Sequence, residues 1–177
     1  AVAADIDRFR PHFDRPVDRT LLLRMEADSL PFPLDRLMRL DSAYFHPVEW
    51  AGTMPDMNWI LSSAEVRWIL EDAETGARNH DIDWDFALDS AARIRIVNVR
   101  GALHAMQHPI HLHGQRFLIL EQDGVRSEDL VWKDTILLPV GSWADILVDF
   151  SNPGRWMLHC HIAEHLEAGM HTVVDVR

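Results

Sequence analysis

Two short stretches hold six of the eleven histidines of this 177-residue chain, together with its only cysteine. In residues 107–117, QHPIHLHGQRF, His108, His111 and His113 form an H-x-x-H-x-H pattern. In residues 156–170, WMLHCHIAEHLEAGM, Cys160 lies between His159 and His161, with His165 and then Met170 following at intervals of five. One thiolate, two imidazoles and a weak axial thioether make the trigonal site that copper uses for electron transfer. Cys160, His165 and Met170 are spaced so that one loop wraps one ion, and His108 is the natural supplier of the second imidazole. A structural zinc site would use more cysteines. A nucleophilic cysteine needs a base and one orienting group, which leaves the other histidines without a task. Any one of these histidines alone reads more simply as a surface or core residue. The six with a central cysteine do not.

These side chains need strands to place them. In an extended segment successive side chains point to opposite faces. If WMLHCH is a strand, Trp156, Leu158 and Cys160 share one face, and Met157, His159 and His161 share the other. Cys160 then binds one metal ion while its neighbours bind others behind it, joined to it by a short covalent path.

The rest of the chain agrees with a β fold. RTLLLRMEA (residues 19–27) reads as a strand. From residue 64 onward strand-like runs recur as AEVRWILED, DIDWDFAL, ARIRIVNVR, QRFLILEQ, LVWKDTILLP, WADILVDF and GRWMLHCHI. Turn sequences such as ETGARNHD, DGVRSED, PVGS and SNPG separate them. CHIAEHLEAGM supplies one short helical turn. The expectation is an all-β, antiparallel sandwich or barrel of seven or eight strands. Residues 1–60 read as an irregular lead-in carrying the first strand, and residues 61–177 as the domain that holds both histidine motifs.

At 177 residues the chain is large enough to bury a core unaided. The net charge of −11 argues against a nucleic-acid partner, which needs clustered Lys and Arg. No run approaches the ~18 apolar residues of a membrane span. A single cysteine excludes an internal disulfide.

HPIHLHG followed by HCHIAEHLEAGM resembles the C-terminal copper signatures of the multicopper oxidases, the laccase and ascorbate oxidase group. The resemblance extends through HDIDWDF, VWKDTILLP and NPGRWMLHCH, from about residue 80 to residue 175. It implies a cupredoxin-like Greek-key fold and copper as the cofactor. It also implies a type 1 copper held by His108, Cys160, His165 and axial Met170, with His108, Cys160 and His165 as its catalytic ligands. His111 would serve a type 2 copper, and His113, His159 and His161 a type 3 pair. Electrons taken singly from a phenolic, aromatic or low-valent metal donor would pass to the trinuclear cluster, where dioxygen becomes water. The axial methionine implies a lower potential than the leucine or phenylalanine of many fungal laccases. Electron entry would use an exposed imidazole edge of the type 1 copper. The family works in the periplasm or outside the cell.

The family's trinuclear cluster takes eight histidines, four of them from two H-x-H motifs in an N-terminal domain. This chain has no H-x-H outside its two clusters. It supplies half a cluster, so an N-terminal cupredoxin domain of the parent chain or another subunit would complete it. Where some bacterial members carry a carboxylate after the type 1 histidine, this chain has Leu166, and Glu164 and Glu167 nearby read as solvated charges. The residues outside the trinuclear set leave a second reading open, that of a non-enzymatic blue-copper electron carrier.

Weaker signals are Met54, Met57 and Met106 as soft ligands for a cuprous substrate, although methionine more often fills core gaps. His104 and His171 border the clusters and read as surface residues, while His12, His46 and His80 show no pattern. The tryptophans read as core and sheet packing, with Trp132 and Trp143 available to shape a substrate pocket.

Overall fold

A computed structural model describes residues 2–27, 66–100 and 106–177. Eleven strands run in chain order: β1 (Arg19–Ala27), β2 (Val66–Asp72), β3 (Trp84–Phe86), β4 (Ser90–Asn98), β5 (His108–Leu112), β6 (Arg116–Gln122), β7 (Val125–Arg126), β8 (Thr135–Leu138), β9 (Trp143–Phe150), β10 (Gly154–Cys160) and β11 (His171–Val176). Helix α1 (Val2–Asp7) precedes them, and helix α2 (Ala163–Glu167) lies between β10 and β11. No helix among the described residues is long and apolar enough to cross a membrane.

The strands form two sheets, ordered β2-β1-β4-β9-β6-β7 and β3-β11-β10-β5-β8. All eight strand-like runs of the sequence carry strands. The count rises to eleven because β5, β7 and β11 join them. HPIHL in β5 was masked by its proline and histidines, and β7 is only two residues long. The pairing is also mixed, since β1 lies parallel to β4 and β11 parallel to β3.

Alternation builds the core. On β1, Leu21, Leu23 and Met25 are buried, with less buried residues between them. They meet Trp68 and Leu70 of β2, Ile94 and Ile96 of β4, and Ile146 and Val148 of β9. From the other sheet come Ile110, Leu112, Ile136, Leu138, Leu158 and Val174, which close the same cluster. Each such side chain contributes roughly 1.5–3 kcal/mol when fully buried.

The outer face of the six-stranded sheet is also covered. Ile6 of α1 and Phe9 just after it pack on Leu118, Leu120 and Leu147, so β9 is buried on both faces. Charges on that face are paired. Arg93 and Arg95 converge on Asp145, which has no exposed surface, at 2.5 and 2.6 Å. Arg116 bonds Asp149 and reaches Asp5 of α1 at 2.8 Å. Trp132 donates its indole N–H to Asp5, stands edge-on to Phe9 and lies under the Arg116 guanidinium. Trp132 therefore anchors α1, and Trp143 carries the Arg95 guanidinium over its ring.

Candidate metal centres

β5 and β10 are neighbours in one sheet, with His159 opposite His111 and Cys160 opposite Ile110. Their even-numbered side chains, His108, Ile110, Leu158 and Cys160, turn to the core and are buried. The odd-numbered histidines, His111 and His159, with His113 and His161 just past the strand ends, gather on the opposite face. One sheet thus presents two separate donor sets, one on each face.

The core-facing set is His108, Cys160 and His165. Cys160 Sγ lies 3.8 Å from His108 Nδ1 and 3.6 Å from His165 Nδ1, and the two nitrogens are 3.2 Å apart. Taking metal–thiolate and metal–imidazole bonds of about 2.3 and about 2.0 Å, a trigonal site has sulfur–nitrogen edges of about 3.7 Å and a nitrogen–nitrogen edge of about 3.5 Å. The donor triangle fits one ion. Met170 is fully buried beside it; its N–H bonds the His165 carbonyl, and its own carbonyl accepts from Cys160 N–H. Those bonds close the loop from Cys160 to Met170 around the three donors.

Burial sets the protonation of this set. It pushes the His108 pKa down to about 3 and the Cys160 thiol up to about 12, the latter opposed in part by a backbone bond at Ile162. His108 is therefore a neutral imidazole, ready to ligate. The thiol must release its proton to solvent as a metal binds, which is how thiolate sites couple binding to proton release.

The outer set is His111, His159 and His161, with His113 Nε2 2.9 Å from His159 Nε2. A carbonyl oxygen only accepts, so His159 Nδ1 donates to the Cys160 carbonyl at 2.8 Å and leaves Nε2 bare for a metal. His111 Nδ1 likewise donates to the Asp134 carbonyl at 2.9 Å, with Thr135 Oγ1 at 3.0 Å. Outer partners of this kind fix the tautomer of a ligating histidine. Burial lowers the pKa of His113 and of His159; neighbouring histidines add to both effects, while the bond to Cys160 opposes the second.

One glycine of the first motif is required. Gly114 has φ +65, and a Cβ there would enter the Trp156 ring. The indole N–H bonds the Asn152 carbonyl, which holds it in place.

A model of the family described as multicopper oxidase matches residues 43–177, more than half of the chain. The chain belongs to the multicopper oxidase family. It is 42% identical over 91 residues to a multicopper oxidase of Staphylococcus aureus, covering 50% of this chain and 20% of that protein. It is 38% identical over 96 residues to laccase-6 of Arabidopsis thaliana, covering 49% and 17%. The structure of a multicopper oxidase from Campylobacter jejuni shares the fold, with a TM-score of 0.56 at 19% identity over 92% of this chain and 31% of that one. This multicopper oxidase chain thus spans about a fifth of the length of the curated relatives it matches. Both donor sets are of residue types suited to copper.

Some expectations change. His165 has no exposed surface, so the chain offers no exposed imidazole edge there. Trp68, read from sequence only as packing, stacks on the His165 ring with centroids 3.7 Å apart and an interplanar angle of 24°. Met106 is a core residue whose carbonyl accepts from Asn98. His171 is half-buried against His80 rather than on the surface. Met54, Met57, His46 and His104 lie outside the described residues.

Proposed function

We propose that this chain is the C-terminal copper-bearing domain of a multicopper oxidase. It oxidises a phenolic, aromatic or low-valent metal donor one electron at a time. His108, Cys160, His165 and Met170 would hold the type 1 copper. His111 would serve a type 2 copper, and His113, His159 and His161 the type 3 pair. When bound, copper supplies one-electron oxidation at the first site and four-electron reduction of dioxygen to water at the second.

The observation that carries this reading is the division of the donors between the two faces of one sheet, with His159 bonded to the carbonyl of Cys160. The protein's own contribution is positional. The strand fixes Cys160 and His159 back to back, and the Cys160 carbonyl turns His159 Nε2 away from the core. The Asp134 carbonyl does the same for His111. The core shields the thiolate from water. The outer face, where His161 is exposed, would dock an N-terminal cupredoxin domain of the parent chain or another subunit that brings the remaining histidines. A periplasmic or secreted location accords with the family.

Copper(II) titration followed by an oxygen electrode tests the reading. The chain alone should develop a strong thiolate-to-copper band that a phenolic donor bleaches, without steady oxygen uptake. Steady uptake by this chain alone would contradict the half-cluster assignment.

A further inference from the structure

Trp68 lies 92 positions before Cys160 in the chain, on the edge strand β2 of the opposite sheet. It nevertheless touches both imidazoles of the core-facing site. Its ring is stacked on His165 and stands edge-on to His108, at 5.3 Å and 70°. Only 5% of Trp68 is exposed.

The backbone around it is fixed to the ligand loop. Trp68 N–H donates to the carbonyl of Ala168 at 3.0 Å, so the loop between His165 and Met170 is tied directly to β2. Asn79 locks the other side of the strand. Its side-chain amide donates to the Trp68 carbonyl at 3.2 Å, and its carbonyl oxygen accepts from Leu70 N–H at 2.8 Å. Gly169 allows this approach, with φ +106 and a would-be Cβ only 3.0 Å from the Asn79 amide nitrogen. The loop and the asparagine fix the backbone that carries the indole, and the ring lies flat against a proposed copper ligand.

We infer that Trp68 is a positioning residue of the copper centre: its indole sets the plane of the His165 imidazole and bars small molecules from the ion that His108, Cys160 and His165 would hold. The inference rests on the copper reading above. Aromatic stacking of this kind contributes orientation as well as burial. Interior packing leaves no space for a water where the ring lies. The indole covers one face of the His165 ring, which has no exposed surface.

The test uses the full chain loaded with copper(II), read by the thiolate-to-copper absorption band and by the change that azide makes in that band, so that azide on copper at the outer histidines is not counted. W68F, which keeps a ring to stack, should retain the band position of the unsubstituted chain and bind no azide. W68A should keep the band through Cys160 but shift its maximum. It should also bind azide saturably, at least tenfold more tightly than any binding by the unsubstituted chain. W68L carries the test if W68A does not fold: it fills the space without a ring and should still shift the band. A W68A or W68L protein with the unsubstituted spectrum and no azide binding overturns the inference. Absence of the band from the unsubstituted chain overturns the copper reading itself, and this inference with it.

Discussion

His159 and Cys160 are consecutive residues on β10 whose side chains point to opposite faces of one sheet, yet the His159 ring returns to bond the Cys160 carbonyl at 2.8 Å. The two donor sets are therefore joined both through the backbone and through this hydrogen bond. Each side chain is held by a different layer of the fold, so the sites are coupled in position and separable by mutation.

Separability is the first expectation. C160S should abolish the thiolate-to-copper band while leaving binding at the outer histidines. H161A should keep the band and weaken the outer site at least tenfold, because even outer-shell changes cost 10–100-fold in metal affinity. His161 is exposed, so H161A should change stability by no more than about 0.5 kcal/mol. Metal counting on each variant, alongside its absorption spectrum, checks both statements.

The metal-free chain should be most stable between about pH 6.5 and pH 9. Burial holds His108 down at about 3. As the pH falls below 6.5 the unfolded chain takes up a proton that the folded chain refuses, and stability is lost down to about pH 3. Cys160 acts in the opposite direction, since its thiol is pushed up to about 12. Above about pH 9 the unfolded thiol ionises and the folded one does not, so stability falls again as the pH rises. Each pH unit inside either window is worth about 1.4 kcal/mol per group. Urea melts across the range should trace this plateau, and H108F should make its acid side less steep, with His113 and His159 still contributing to the fall.

Gly114 should not tolerate a side chain. G114A combines a left-handed backbone with a methyl inside the Trp156 ring, and should cost about 2–4 kcal/mol. Because His113 is the preceding residue, the outer site should weaken as well. Thermal melts and the near-ultraviolet circular dichroism of Trp156 report the two effects.

Asp145 should matter to stability and not to metal. Burial raises its pKa, but the Arg95 and Arg93 bonds outweigh that and hold the carboxyl below its ordinary value. The group therefore stabilises the fold above about pH 4, and that contribution is lost as the pH falls further. D145A leaves two arginines without their shared partner and should cost on the order of 3 kcal/mol. The copper band of the folded variant should be unchanged.

Much of the site was legible because a strand's period is two. The alternation of Cys160 against His159 and His161 within WMLHCH assigns those three donors to two faces from sequence alone, whereas the split of His108 from His111 rests on the pairing of β5 with β10. The short helix within CHIAEHLEAGM was legible for a similar local reason. What escaped is long-range. Trp68 looks like any strand tryptophan, and only the meeting of β2 with the ligand loop places it on His165. The cover that α1 provides for Leu118 and Leu147, and the parallel pairing of β1 with β4, likewise depend on contacts that no local pattern encodes. HTVVDV of β11 was missed because it follows directly on the histidine-rich loop.

The central claim is that His108, Cys160 and His165 together hold one copper ion through the thiolate. The most direct measurement is a copper(II) titration of the chain, followed by visible absorption, beside the same titration of C160S. The account predicts an intense band that saturates at about one equivalent in the chain and is absent from C160S. A chain that binds copper without that band, or a C160S variant that keeps it, would contradict the claim.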